Sequence, residues 1–190
     1  MNTHCFRWGV KPSRPGILNG QQNLSPRLVS WLREPGSLTR RCQTQFQSFE
    51  VRPCFQGMGQ DRLLDSTEKR VRKREVLLWV DQQAFIFAQS VLGGQERGPL
   101  SRWLKGLGRR SLGTLLFQHP GFQRGPLQYF RLDSRHALYH ACLQALADCD
   151  WAATSPPILW ARCCEHRFGR QTIRVTEVFL AVEVYRLSRG

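Results

Sequence analysis

A chain of 190 residues is long enough for one domain with a buried core and short for two. Hydrophobic residues make up 41% and charged residues 22%, with six Trp and eleven Phe, which excludes a disordered or low-complexity chain. Lys and Arg number 28 against 14 Asp and Glu, a formal charge of +14 that suits nucleic acid, anionic lipid or a small anionic substrate without choosing among them, and equally suits a solvated basic surface.

Residues 1–24 carry Pro, Gly, Asn and Gln without periodicity and read as a poorly ordered arm, leaving 25–190 as the domain. The opening MNTHCFRWGVKPSRPG lacks the apolar core of a signal peptide, and no run approaches the roughly 18 apolar residues of a membrane span. The expected location is therefore cytoplasmic. Ser25-Pro26 reads as a helix N-cap followed by Pro at the first helical position, with Leu28, Val29, Trp31 and Leu32 at helical spacing and Pro35-Gly36 as the stop. Ser37–Arg41 starts a second short helix or turn. Gln45–Gln56 alternates in part, with Phe49, Val51 and Phe55 on one side, as a strand does, and the polar run 57–68 reads as a loop.

The stretch 70–94 is the most structured part of the chain. Apolar runs Val76–Val80 and Ala84–Leu92 flank the polar break Asp81-Gln82-Gln83, the pattern of a β-hairpin with a loop of three residues or slightly more. Side chains alternate along a strand, so Arg74 shares a face with Val76, Leu78 and Val80. A guanidinium aimed at an apolar layer demands an anionic partner, either a protein carboxylate or a ligand.

Pro99–Leu107 has the spacing of a short amphipathic helix ended by Gly108, and Ser111–Phe117 reads as a helical turn. The run Gly106-Leu107-Gly108-Arg109-Arg110 lacks the Lys-Ser/Thr that completes a phosphate loop. Trp103 with Lys105, Arg109 and Arg110 is either a small nucleic-acid contact or a helix end whose cations suit the dipole. Leu127–Leu132 reads as a strand, and Ser134–Leu146 as a helix with a stripe of Ala137, Leu138, Ala141, Cys142 and Ala145. His136 and His140 sit at i and i+4, but with no adjacent Glu and no third ligand a surface or core role outweighs metal binding.

Asp148–Pro157 reads as a linker before a second long hairpin, Ile158–Phe168 and Thr172–Ala181, about Gly169. The seven cysteines are odd in number and read as free thiols. Cys163-Cys164 beside His166 resembles a metal cluster, but alternation sends the two sulfurs to opposite faces, so packing is favoured over zinc. Glu177 shares a face with Ile173, Val175 and Phe179, a carboxylate in an apolar row whose pKa burial raises unless a cation compensates. Arg74 and Glu177 are therefore matching anomalies of opposite sign. On the residues alone they form either a buried ion pair or the two ends of a polar pocket. Strands in hairpins with short helices between them describe an α+β domain built on an antiparallel sheet.

Four segments in order, WLREPGSLTRR (31–41), REVLLWVDQQAFIFAQSV (74–91), LGRRSLGTLLF (107–117) and LWARCCEHRFGRQTIRVTEVFL (159–180), resemble the chorismate pyruvate-lyase family of ubiquinone biosynthesis. The resemblance runs from about Leu28 to Leu187 and is thin over Thr44–Lys69. It implies a single α+β domain with a six-stranded antiparallel sheet, and short helices and flaps enclosing a ligand pocket. It implies elimination of pyruvate from chorismate to give 4-hydroxybenzoate, by a monomer with no metal and no organic cofactor. By the resemblance Arg74 grips the ligand carboxylate, backbone groups at Leu38 and Leu112 help hold it, and Glu177 meets the ring hydroxyl, with Arg74 and Glu177 as the catalytic pair. This chain departs from the pattern at Gln89, where relatives carry Arg that would serve a second carboxylate, at Cys42 for Phe, and at Ala181 for Pro.

Two other readings differ in class. One is the non-catalytic ligand-sensing domain of transcription regulators, but only some two dozen residues precede the first helix, too few for a DNA-binding domain. The other, motivated by the charge, is a basic nucleic-acid or membrane-surface protein. Of these partners the resemblance implies no nucleic acid, and leaves a peripheral attraction to anionic membrane as an expectation of the charge alone.

Overall fold

The computed structural model describes residues 24–61, 66–93, 98–149 and 157–181. The expected arm over 1–24, save Leu24, and residues 150–156 of the expected linker Asp148–Pro157 lie outside them. The described chain folds as α1 (Pro26–Leu32), α2 (Leu38–Gln45), β1 (Phe49–Asp61), β2 (Ser66–Val80), β3 (Gln83–Gly93), α3 (Pro99–Gly106), α4 (Leu112–Gln118), β4 (Gln123–Arg124), β5 (Gln128–Leu132), α5 (Ala137–Ala147), β6 (Leu159–Phe168) and β7 (Gln171–Phe179). Every strand pairing is antiparallel, in the order β1-β2-β3-β7-β6-β4, with β5 also on β6. β4 pairs with the His166-Arg167 end of β6 and β5 with its Leu159–Cys163 end. They succeed one another along the same strand, so the sheet has six ranks with the last made in two pieces.

The helix starts follow their caps. Ser25 accepts from the Leu28 amide at 3.1 Å with Pro26 in the first turn, and Ser37 and Ser111 cap α2 and α4. Of the short helix or turn expected to start at Ser37–Arg41 the structure forms the helix, and α2 runs on to Gln45, into the expected strand, because no breaker interrupts 38–45; extended backbone at Phe46 ends it. α5 begins at Ala137, with His136 Nδ1 accepting from the Leu138 amide and His140 Nε2 within 2.7 Å of the Ser134 carbonyl. The two histidines cap and brace a helix.

Two expected loops are tighter or absent. The central hairpin pairs Val80 with Gln83, so its loop is only Asp81-Gln82, both at positive φ (43° and 65°). Such left-handed turns match the twist of paired strands. The Asp81 carboxylate accepts from the Ser48 amide at 2.9 Å, and the Asp81 amide donates to the Ser48 carbonyl at 3.3 Å, clamping the turn to the start of β1. The polar stretch 57–68 is strand rather than loop up to Asp61 and again from Ser66, with Gly57, Met58, Gly59 and Gln60 paired to Lys73, Arg72, Val71 and Arg70. Backbone pairing to a long partner strand outweighs the missing apolar alternation there. At Gly59 a Cβ would lie 2.5 Å from Lys73 Cε, so a side chain there would displace the end of that lysine.

The two faces of the sheet are covered differently. α5 closes one, packing Leu138, Ala141, Cys142 and Ala145 on Leu77, Phe87, Ala161 and Val178. α1 and α2 cover part of the other, where Trp31, Phe85 and Phe179 join Val76, Leu78 and Ile86. α3 and α4 cover the rest, with Leu100, Leu104, Leu112 and Leu116 on Leu92 and Ile173. Each fully buried Leu, Ile, Val or Phe among them contributes about 2 kcal/mol. No helix of the described residues is long and apolar enough to cross a membrane. Between the two helical covers the second face is left with a hollow.

Candidate functional site

Register decides what faces that hollow. Directly opposed residues share a face, so one row across the sheet reads Arg74, Ser90, Val175, Cys164, and the next reads Val76, Ala88, Glu177, Arg162. On the other side of the first row lie Ile173, His166 and Arg124. Together with the starts of α2 and α4 these rows line one shared cavity of about 40 Å³.

The roof is made by two helix starts. Leu38 and Leu112 are the first residues of α2 and α4, and both line the cavity. Thr39 Oγ1 and Ser111 Oγ share a hydrogen bond of 2.5 Å that ties the starts together. Gly113 permits this approach, because a Cβ there would lie 2.9 Å from Ser37 Oγ and 3.1 Å from Thr39 Oγ1. Amides in the first turn of a helix have no intrahelical acceptor, so this wall offers donors.

Arg74 is 1% exposed. Its Nη2 donates to the carbonyls of Gly108 (2.8 Å) and Arg110 (3.0 Å), while its buried Nε has no partner. Among the described residues no carboxylate lies within ion-pair distance of it. Burial pulls the guanidinium below its ordinary pKa, the signature of a cation short of counter-charge. The glycine-arginine run 106–110 thus presents carbonyls to Arg74 rather than amides to a phosphate. Arg109 pairs with Glu50, Arg110 turns back to the Gly106 carbonyl, and Trp103 packs among His119, Phe122 and Phe168.

Glu177 is an ion-pair partner, but of Arg162: Arg162 Nε donates to Glu177 Oε2 at 2.6 Å, with the two side chains 2% and 18% exposed. The same guanidinium donates to the carbonyls of Glu34 (2.6 Å) and Gly36 (3.5 Å), fastening the turn before α2 to the sheet. The structure therefore brings Arg74, Leu38, Leu112 and Glu177 to one cavity and keeps Arg74 and Glu177 from neutralising each other.

Sequence reasoning missed Arg162 and Arg124, and weighed His166 only beside Cys163-Cys164, as packing rather than zinc. Arg162 carried a readable signal. A hairpin turning at Gly169-Arg170 pairs Phe168 with Gln171, which sets Arg162 against Glu177. Arg124 donates through Nε to Cys164 Sγ at 3.4 Å and through Nη1 to the Pro35 carbonyl, and lies over the Phe117 ring. Burial, then Arg124 and Arg162, push the His166 imidazole down to about 4, so it is neutral near pH 7. Cys164 faces the cavity with its thiol pushed up by burial, and Cys163 lies in the core under α5 with its thiol pushed up to about 12. The two sulfurs do occupy opposite faces.

Gln89 is on the α5 side of the sheet, donating to Glu75 Oε1 at 2.9 Å beside Lys73 Nζ at 2.7 Å. It cannot touch a ligand in this cavity, so a Gln there removes nothing from the cavity wall.

A family model described as chorismate lyase matches residues 19–189. The chain is 43% identical over 160 residues to the "Probable chorismate pyruvate-lyase" of Dechloromonas aromatica (strain RCB), covering 82% of this chain and 87% of that one. It is 40% identical over 161 residues to the protein of that name from Azoarcus sp. (strain BH72), with 81% and 84% covered. It is 37% identical over 176 residues to that from Cupriavidus pinatubonensis (strain JMP 134 / LMG 1197), with 88% and 87% covered. A possible transcriptional regulator from Bacillus subtilis aligns with TM-score 0.37 and 8% identity over 77% of this chain and 62% of its own, too slight to bear on fold or function. Matched by the family model over nearly its whole length, the chain belongs to the chorismate lyase family.

Proposed function

We propose that this chain is a chorismate pyruvate-lyase, releasing pyruvate from chorismate to leave 4-hydroxybenzoate. The observation that carries the reading is the pairing of a buried guanidinium without a carboxylate, Arg74, with a carboxylate, Glu177, on the wall of the same cavity.

The reaction suits such a site. The bond between the ring carbon and the ether oxygen breaks, hydrogen leaves the neighbouring ring carbon that bears the hydroxyl, and the three-carbon fragment departs with the ether oxygen and gains a proton at its methylene carbon to become pyruvate. The ring becomes aromatic, so much of the driving force lies in the substrate, and nothing is oxidised or reduced overall. The protein has to hold the dianion, orient it and exclude water. In this reading Arg74 anchors the ring carboxylate, helped by backbone amides at Leu38 and Leu112. Glu177, fixed by Arg162, accepts a hydrogen bond from the ring hydroxyl at the other pole and stands near the proton to be moved. Fixed dipoles and charges in a dry cavity act more strongly than in water. The reading needs no metal and no organic cofactor, and the +14 charge would draw a dianion toward the protein. We further take the protein to act as a cytoplasmic monomer.

The test is incubation of the purified protein with chorismate in the presence of a chelator. The reading expects pyruvate and 4-hydroxybenzoate in equal amounts. Release of neither product would remove it.

A further inference from the structure

Among the described residues the cavity wall carries the guanidiniums of Arg74, Arg124 and Arg162 and the single carboxylate of Glu177. Arg162 spends its charge on Glu177. Arg74 and Arg124 have no carboxylate within ion-pair distance among the described residues. They stand at opposite ends of the cavity floor, on β2 and β4, separated by the strand order β2-β3-β7-β6-β4. Four strand steps place their backbones about 19 Å apart. Their long side chains reach the same cavity from both ends.

Arg124 is only partly engaged. Nε donates to Cys164 Sγ and Nη1 to the Pro35 carbonyl, and Nη2 has no hydrogen-bond partner among the described residues. His166 sits directly opposite in the β4–β6 register. It is 4% exposed, and neither ring nitrogen is hydrogen-bonded to a described residue. The Phe117 ring stands edge-on at 6.0 Å, and the neutral imidazole keeps one N–H to give. A second cation with spare donors, beside an imidazole N–H that no described residue accepts, is a place for a second anionic group.

We propose that Arg124 and His166 form a second carboxylate seat, opposite the Arg74 seat, which takes the side-chain carboxylate that chorismate carries and 4-hydroxybenzoate lacks. The inference rests on the lyase reading and deepens it. Two uncompensated guanidiniums match the two carboxylates of the substrate. After cleavage one seat holds the aromatic acid and the other the departing three-carbon acid. A ligand with a single carboxylate uses only one seat, so Arg124 and His166 act in selecting substrate over product.

The experiment compares two ligands on the same variants. For Arg124→Gln the Kd and KM for chorismate should rise by about tenfold or more, the range of a lost charge-assisted hydrogen bond, while the Kd for 4-hydroxybenzoate stays within about twofold. His166→Leu should show the same split with a rise of about threefold, and it decides the matter should Arg124→Gln not fold. Unchanged binding of 4-hydroxybenzoate itself reports an intact cavity. If both constants rise together, or neither moves, the second seat is wrong. Absence of turnover by the unaltered protein would sink the lyase reading separately, while calorimetric titration with chorismate and 4-hydroxybenzoate would still decide whether a second seat exists.

Discussion

Arg74 and Glu177 face the same cavity and do not neutralise each other, because each is engaged elsewhere. Arg74 turns Nη2 to the carbonyls of Gly108 and Arg110, and Glu177 accepts from Arg162. A direct pair would have closed the cavity. Separate engagements leave two charged poles with space between them.

The Arg162–Glu177 pair should be costly to break and cheap to replace as a unit. Arg162→Met strands a carboxylate that is 18% exposed and releases the Glu34 and Gly36 carbonyls. The expected loss in urea unfolding is about 3 kcal/mol. The double variant Arg162→Met with Glu177→Leu should recover much of that stability and none of the activity, since the polar end of the cavity is gone.

Two glycines give opposite forecasts. Gly113→Ala places a methyl 2.9 Å from Ser37 Oγ and 3.1 Å from Thr39 Oγ1, so those two hydroxyls at the start of α2 must give way. Stability should fall by about 1 kcal/mol and 4-hydroxybenzoate should bind more weakly. Gly106→Ala, at the end of α3 with nothing within 4 Å of the new methyl, should leave binding unchanged and raise stability by about 0.5 kcal/mol. Thermal melts and one ligand titration on each variant check both.

Acid should weaken the fold through His166. Its imidazole is held down from the ordinary 6.5 to about 4, so between those values the unfolded chain binds a proton that the folded chain refuses. The contribution is whole above about 6.5, and is lost progressively as pH falls toward about 4. Unfolding free energies measured from pH 7 to pH 4.5 should fall more steeply for the native protein than for His166→Leu. Equal slopes would mean that the imidazole is not buried neutral.

The fold was legible where local chemistry governs: serine caps, Pro26, the two long hairpins and the inward alternation that singled out Arg74 and Glu177. It was illegible where pairing overrides composition, as in β1 and β2 beyond Gln56, where polar residues are held in strand by their neighbours. The site divides the same way. Glu177's partner follows from counting back from a two-residue turn, but Arg124 enters on a strand of two residues whose sequence gives no sign of it. Gln89 shows the converse. It looked like a gap in the ligand site, and alternation beside Arg74 and Ser90 places it on the other face.

The central claim is that Arg74 is the anchor for the ring carboxylate, and calorimetric titration of 4-hydroxybenzoate into the native protein and Arg74→Ala tests it most directly. The native protein should bind, and the variant, if its thermal melt stays cooperative, should bind at least about tenfold more weakly. Equal dissociation constants for the two folded proteins would contradict the account.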